Sequence, residues 1–122
     1  VAHLRRGAAR RHDLLAAAAV RETLEETGWH VQLDHFIAVH QWWSDLHDDH
    51  VVRFSFAGRA LQHDPQRSLD AGIERAVWMQ REEIAALGMR LRSPLVLHSI
   101  DAWLAGQRLP LSTLHSLLPE TA

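Results

Sequence analysis

The chain has 122 residues, of which 47% are hydrophobic, and a formal net charge of -2 at pH 7. That is one domain with room for a modest single core, and it argues against disorder. The near-neutral charge gives no reason to expect nucleic-acid or membrane binding, and no apolar run approaches the roughly 20 residues of a bilayer-spanning helix.

Residues 1–12 carry Arg5, Arg6, Arg10 and Arg11 but lack the apolar core of a signal peptide. A basic end of this kind can bind phosphate or nucleic acid; a frayed terminus is the simpler account. The chain has no cysteine, which excludes disulfides and thiolate metal sites and fits a cytoplasmic location. Asp13 is expected to cap a helix that Ala16 to Ala19 favour by propensity and that Gly28 stops. Val31 to Val39 reads as a strand and Ser44 to Asp49 as a polar loop. In a second strand, Val52, Phe54 and Phe56 alternate with Arg53 and Ser55, the period of a half-buried strand. The two strands are expected to pair antiparallel.

Gln62 to Leu69 is a loop, and Ile73 to Met79 reads as a further strand carrying Trp78. Arg81 to Leu87 is a short helix ended by Gly88. Ser93-Pro94 opens another helix, running to Leu104, in which Leu97, Ile100 and Leu104 are expected to face the sheet. Leu111 to Leu118 reads as a last helical turn. The order implies an α/β protein, an α/β/α sandwich around a mixed sheet. Residues 1–12 form a basic segment, 13–118 the domain and 119–122 a tail.

The densest chemistry lies in Arg21-Glu22-Thr23-Leu24-Glu25-Glu26-Thr27-Gly28-Trp29. On a helix, Glu22, Glu25 and Glu26 share one face, with Ala17, Val20 and Leu24 roughly opposite. Like charges at this spacing destabilise the helix by a few tenths of a kcal/mol. A hard divalent cation with oxygen ligands reverses that penalty. An acidic cluster alone is more often a solvated helix face.

The spacing of Gly7, Asp13, Arg21, Glu22, Glu25, Glu26, Gly28 and Trp29 resembles the Nudix box. The likeness continues through His35-Phe36-Ile37, His40-Gln41-Trp42, Arg92-Ser93-Pro94-Leu95-Val96 and Gly106-Gln107-Arg108-Leu109-Pro110-Leu111, and is similar to the Nudix phosphatases of the NudJ type. The resemblance implies a Mg²⁺- or Mn²⁺-dependent hydrolase of phosphoanhydrides, acting on nucleoside di- and triphosphates or thiamine-type pyrophosphates. It implies that Glu22, Glu25 and Glu26 ligate metal or activate water and that Arg21 orients them, through an ion pair with Glu25. It also implies a further acidic ligand from a later segment, for which Glu74 and Asp70 are candidates, followed by Asp48 and Asp49.

Two departures stand out. Asp13 replaces the family's glutamate in the loop before the helix, and the strands that normally precede the box are not legible in residues 1–12. The expectation is a Nudix-like domain truncated at its N-terminus, with an exposed sheet edge through which copies can associate. A catalytically impaired domain acting as a binding module is the rival reading.

Adjacent Trp42 and Trp43 place one ring on each side of a strand, and either can stack on a base or serve as packing. His40 and Gln41 beside them can contact phosphate or the organic group. His47 and His50 have a zinc-like spacing, but a polar loop without cysteine is more simply solvent-facing. The expected partner is a small phosphorylated substrate, with no nucleic acid and no membrane.

Overall fold

The computed structural model describes residues 14–91 and 93–117, the side chain of Met89 excepted. The expected cap at Asp13, the basic segment and the tail lie outside the described residues. Helix α1 (Leu15–Thr27) leads directly into strand β1 (Trp29–Ser44), which turns back into β2 (Asp49–His63). Helix α2 (Arg81–Ala85), a 3₁₀ turn (Gly88–Arg90), helix α3 (Leu95–Leu104) and a second 3₁₀ turn (Leu111–Thr113) follow.

Gly28 ends α1 at φ 77°, and its N–H donates to the Leu24 carbonyl at 2.9 Å. This left-handed cap favours glycine. Inside the helix, Thr23 and Thr27 donate their hydroxyls to the carbonyls of Ala19 and Thr23, at 2.8 and 2.6 Å. The hydroxyls are thereby satisfied within the helix. The buried side of α1 differs from the expected one. Ala18 and Ala19 are fully buried, with Leu15 and Ala16 packed beside them, whereas Ala17 is exposed. Small side chains let the helix approach the rings of Phe36 and Phe56, which meet at 5.7 Å and form the core cluster with Ala19.

β1 and β2 pair antiparallel, as expected, but over a longer span and with register shifts at His30/Val31, Leu33/His35 and Phe36/Ala38. Gly58 sits at one of these irregularities. A Cβ there would lie 2.4 Å from the Gln32 carbonyl oxygen, so the close strand approach requires glycine. Adjacent residues of a strand point to opposite faces. Phe56 belongs to the cluster under α1, whereas Ser55 makes a buried 2.8 Å hydrogen bond to Ser99 of α3. The ribbon therefore lies between α1 and α3, the expected α/β/α layering. Ser99 donates its own proton to the Leu95 carbonyl at 2.9 Å, so Ser55 is the donor of the pair.

This layering corrects the half-buried reading of β2. Arg53 and Ser55, the polar set, are 4% and 0% exposed because α3 covers them. The expected face of α3 is corrected in the same way. Leu95 and Ser99 are buried on the sheet, whereas Leu104 is 57% exposed. Ser93 does cap α3, its Oγ accepting the Leu95 N–H at 3.0 Å.

Residues 73–79 form no strand. Their apolar composition meets the requirements of a strand, but a strand exists only where its backbone finds a ladder partner, and among the described residues β1 and β2 pair only with each other as a sheet. The last expected helix contracts to the turn at Leu111–Thr113. The outer side of β1 is met at Phe36, which exchanges two backbone hydrogen bonds with Leu109 at 2.9 and 2.8 Å.

Candidate functional site

The acidic residues of α1 divide by environment. Glu22 and Glu25 are half-buried and Glu26 is exposed. The expected Arg21–Glu25 pair is present: Arg21 Nη1 donates to Oε1 and Oε2 at 3.1 and 3.2 Å. Because the pair is about a quarter exposed, its value is orientation more than stability. It fixes Glu25 one turn after Arg21 and leaves Glu26 toward solvent.

The loop after β2 docks on the same end of the helix. Asp64 N–H donates to the Gly28 carbonyl at 2.8 Å, and Asp70 N–H to the Glu25 carbonyl at 3.0 Å. Asp70 is thus tied by its backbone to α1, while Glu74 is exposed in the irregular segment that follows. The oxygen donors are chemically suited to a hard divalent ion. Among the described residues, however, no three Asp, Glu or His side chains gather as a metal-holding group. Asp48, Asp49, His47 and His50 are exposed around the β1–β2 turn, at the end of the ribbon away from Gly28.

Trp42 and Trp43 occupy opposite faces of β1, as expected. Trp42 pairs across the ladder with Val51 and is half-buried. Trp43 is 49% exposed and meets His50 edge-on at 5.4 Å. His40 stands opposite Arg53 in the ladder, and its ring lies 6.2 Å from that of His98 on α3. Its Nδ1 is buried with no hydrogen-bond partner among the described residues.

Burial, then His98 and then Arg53, hold the His40 imidazole below its ordinary pKa of 6.5. The unfolded chain therefore takes up this proton more readily than the folded one. The stability this provides is complete above about pH 6.5 and is lost as pH falls through the lowered folded value. The urea midpoint is expected to fall on acidification below pH 6.5, and less steeply in His40→Gln. Identical pH slopes for the two proteins would refute this assignment.

Two cavities flank the ribbon, neither lined by His40, Trp42 or Trp43. One, of about 240 Å³, lies on the α1 side between Thr23, Thr27, Trp29 and Val31. The other, of about 490 Å³, lies between β2, α2 and α3 and includes Arg53, Ser99 and Trp103. Val77 and Trp78 line both. Sequence reading missed the second cavity because its walls come from separate segments. The one available signal was Arg53, a charge inside an apolar strand.

Comparison with known proteins decides the family. A model of the NUDIX domain matches residues 4–99. The chain belongs to the Nudix family. Phosphatase NudJ of Escherichia coli strain K12 is 42% identical over 101 residues, covering 81% of this chain and 63% of that protein. Phosphatase NudJ of Shigella flexneri matches with the same values. The chain thus spans 63% of the length of these curated relatives. A solved NUDIX hydrolase from Nitrosomonas europaea superposes with a TM-score of 0.85 at 34% identity, covering 88% of this chain and 73% of that one. The Nudix fold expected from the sequence is therefore the fold of the chain. Among the described residues, no helix is long and apolar enough to cross a membrane.

Proposed function

We propose that this Nudix domain is a divalent-metal-dependent hydrolase of phosphoanhydride bonds in nucleoside di- or triphosphates or thiamine-type pyrophosphates. The observation that carries the reading is the helix itself: Arg21 holds Glu25, Glu22 and Glu26 flank that pair, and Gly28 ends the helix where the 64–70 loop docks. The NudJ relatives, named as phosphatases, support the reaction class.

A diphosphate is polyanionic, and a bare glutamate cluster repels it. Bound Mg²⁺ or Mn²⁺ would neutralise the phosphates and lower the pKa of a water ligand. Glu22, Glu25 and Glu26 are the residues assigned to hold it, with Glu74 or Asp70 as the further acid. Arg21 keeps Glu25 from swinging away. Glu26, the exposed member of the set, is assigned to the ion or to the attacking water.

The test is phosphate release from nucleoside di- and triphosphates and thiamine pyrophosphate, with Mg²⁺, with Mn²⁺ and with EDTA. Release is expected with either metal and not with EDTA. Metal-independent release would reject the mechanism. No release from folded protein would reject the hydrolase reading in favour of a binding module.

A further inference from the structure

The last turn of α1 is, by its own chemistry, the weakest part of the acidic helix. Glu25 and Glu26 both lie in it, and it carries no basic residue. Carboxylates at a helix C-terminus meet the negative end of the macrodipole, and terminal turns fray. Glu22 stands one turn earlier, so fraying would change the spacing between the carboxylates assigned to the ion.

Ties of two kinds hold this turn. The backbone of the 64–70 loop donates to the carbonyls of Glu25 and Gly28, at 3.0 and 2.8 Å. The other tie is a side chain. The Thr27 hydroxyl donates to the Thr23 carbonyl at 2.6 Å and accepts the Trp29 N–H at 3.1 Å. One oxygen thereby joins the body of the helix to the first residue of β1, across Gly28. Trp29 is itself held, its ring stacked on that of His63 at 4.8 Å. The start of β1 is therefore a fixed anchor, and Thr27 carries its position back to the turn that bears Glu26.

We propose that Thr27 is a positioning residue of the hydrolase site: its hydroxyl, bridging Thr23 and Trp29, sets Glu26 against Glu22 for metal binding. Thr27 acts through Glu26 and not on the substrate, and the role rests on the hydrolase reading above.

The experiment compares the full chain with Thr27→Val and Thr27→Ser, each shown to be folded by circular dichroism at the assay temperature. Valine keeps the β-branched shape and removes the hydroxyl; serine keeps the hydroxyl and removes the methyl. Phosphate release from ATP, ADP and thiamine pyrophosphate is followed as Mg²⁺ is varied. Thr27→Val is expected to lower kcat about tenfold and to leave KM within about twofold. The Mg²⁺ concentration giving half the maximal rate should rise about tenfold, as for loss of a group that orients a metal ligand. Thr27→Ser should stay within about twofold of the parent in all three. Calorimetric titration with Mn²⁺, without substrate, should give the same order of affinities, and it decides if none of the three compounds is hydrolysed. Should Thr27→Val not fold, Thr27→Ala removes the hydroxyl without adding a methyl.

A purely structural role would reduce the amount of active protein and leave the metal dependence where it was. Parent-like metal dependence in Thr27→Val, or equal losses in the valine and serine variants, would overturn the positioning role while phosphate release by the parent upheld the hydrolase reading. A parent chain that neither releases phosphate nor binds Mn²⁺ would overturn both.

Discussion

Glu26→Gln is expected to lower metal-dependent phosphate release by about 10²–10⁴-fold, the range typical of a lost acid–base group, while leaving the unfolding midpoint nearly unchanged. Glutamine keeps the length and helix propensity of glutamate and removes only the charge. Glu26 is exposed, so no buried contact is emptied by the change. Glu25 is a poorer test, because both of its oxygens hold Arg21 at 3.1 and 3.2 Å. Replacing it would disturb the pair as well as any ion. Glu22 and Glu26 stand at i and i+4, a spacing at which like charges repel and a shared cation is favoured by both. Mg²⁺ should therefore raise the thermal midpoint of the parent chain more than that of Glu26→Gln. Phosphate release at the parent rate would remove Glu26 from the site. A variant with a much lower midpoint would show that its role is in folding.

Legibility in the sequence follows the range of the interactions that decide each feature. The body of α1 and its stop could be read because their determinants are local, although its buried face could not. Alanines favour the helix, Gly28 adopts the left-handed cap, and Arg21 reaches Glu25 within a single turn. The β1–β2 pair could be read from alternation, but its faces could not. A strand pattern tells which residues lie together and not what covers them, so Arg53 and Ser55 read as the polar side although α3 buries them. The register shifts near Leu33 and Phe36 were also invisible, and Gly58 reveals one only once its neighbour Gln32 is known.

Residues 73–79 show the same limit from the other direction. Their composition suits a strand, but secondary structure of this kind is a property of two segments. The candidate site follows this division. The helix motif is contiguous and was legible. The cavity on the α3 side draws Arg53, Trp78 and Trp103 from positions 25 residues apart in each step, and no local pattern joins them. Trp78 and Trp103 line that cavity, and Trp42 and Trp43 do not.

Phe56→Ala is expected to cost about 3–5 kcal/mol of folding stability, the range for emptying a buried phenyl site. Phe56 has no exposed surface and stands in the cluster with Phe36 and Ala19. Folded domains hold only about 5–15 kcal/mol in all, so much of the variant should be unfolded under mild denaturant. The neighbours offer little relief. Ala19 cannot reach into the void, and Phe36 is anchored by two backbone hydrogen bonds to Leu109. Phe56→Leu, which retains most of the volume, should lose markedly less. Urea titration of the three proteins measures the order, and equal midpoints for Phe56→Ala and the parent would contradict the packing described here. The consequence reaches the acidic helix because Ala19 lies on the same α1 as Glu22 and Glu26. A helix that loses its seat on the sheet no longer holds the glutamates against the 64–70 loop. Activity in Phe56→Ala should therefore fall in step with the folded fraction, whereas in Glu26→Gln it should fall with the protein still folded.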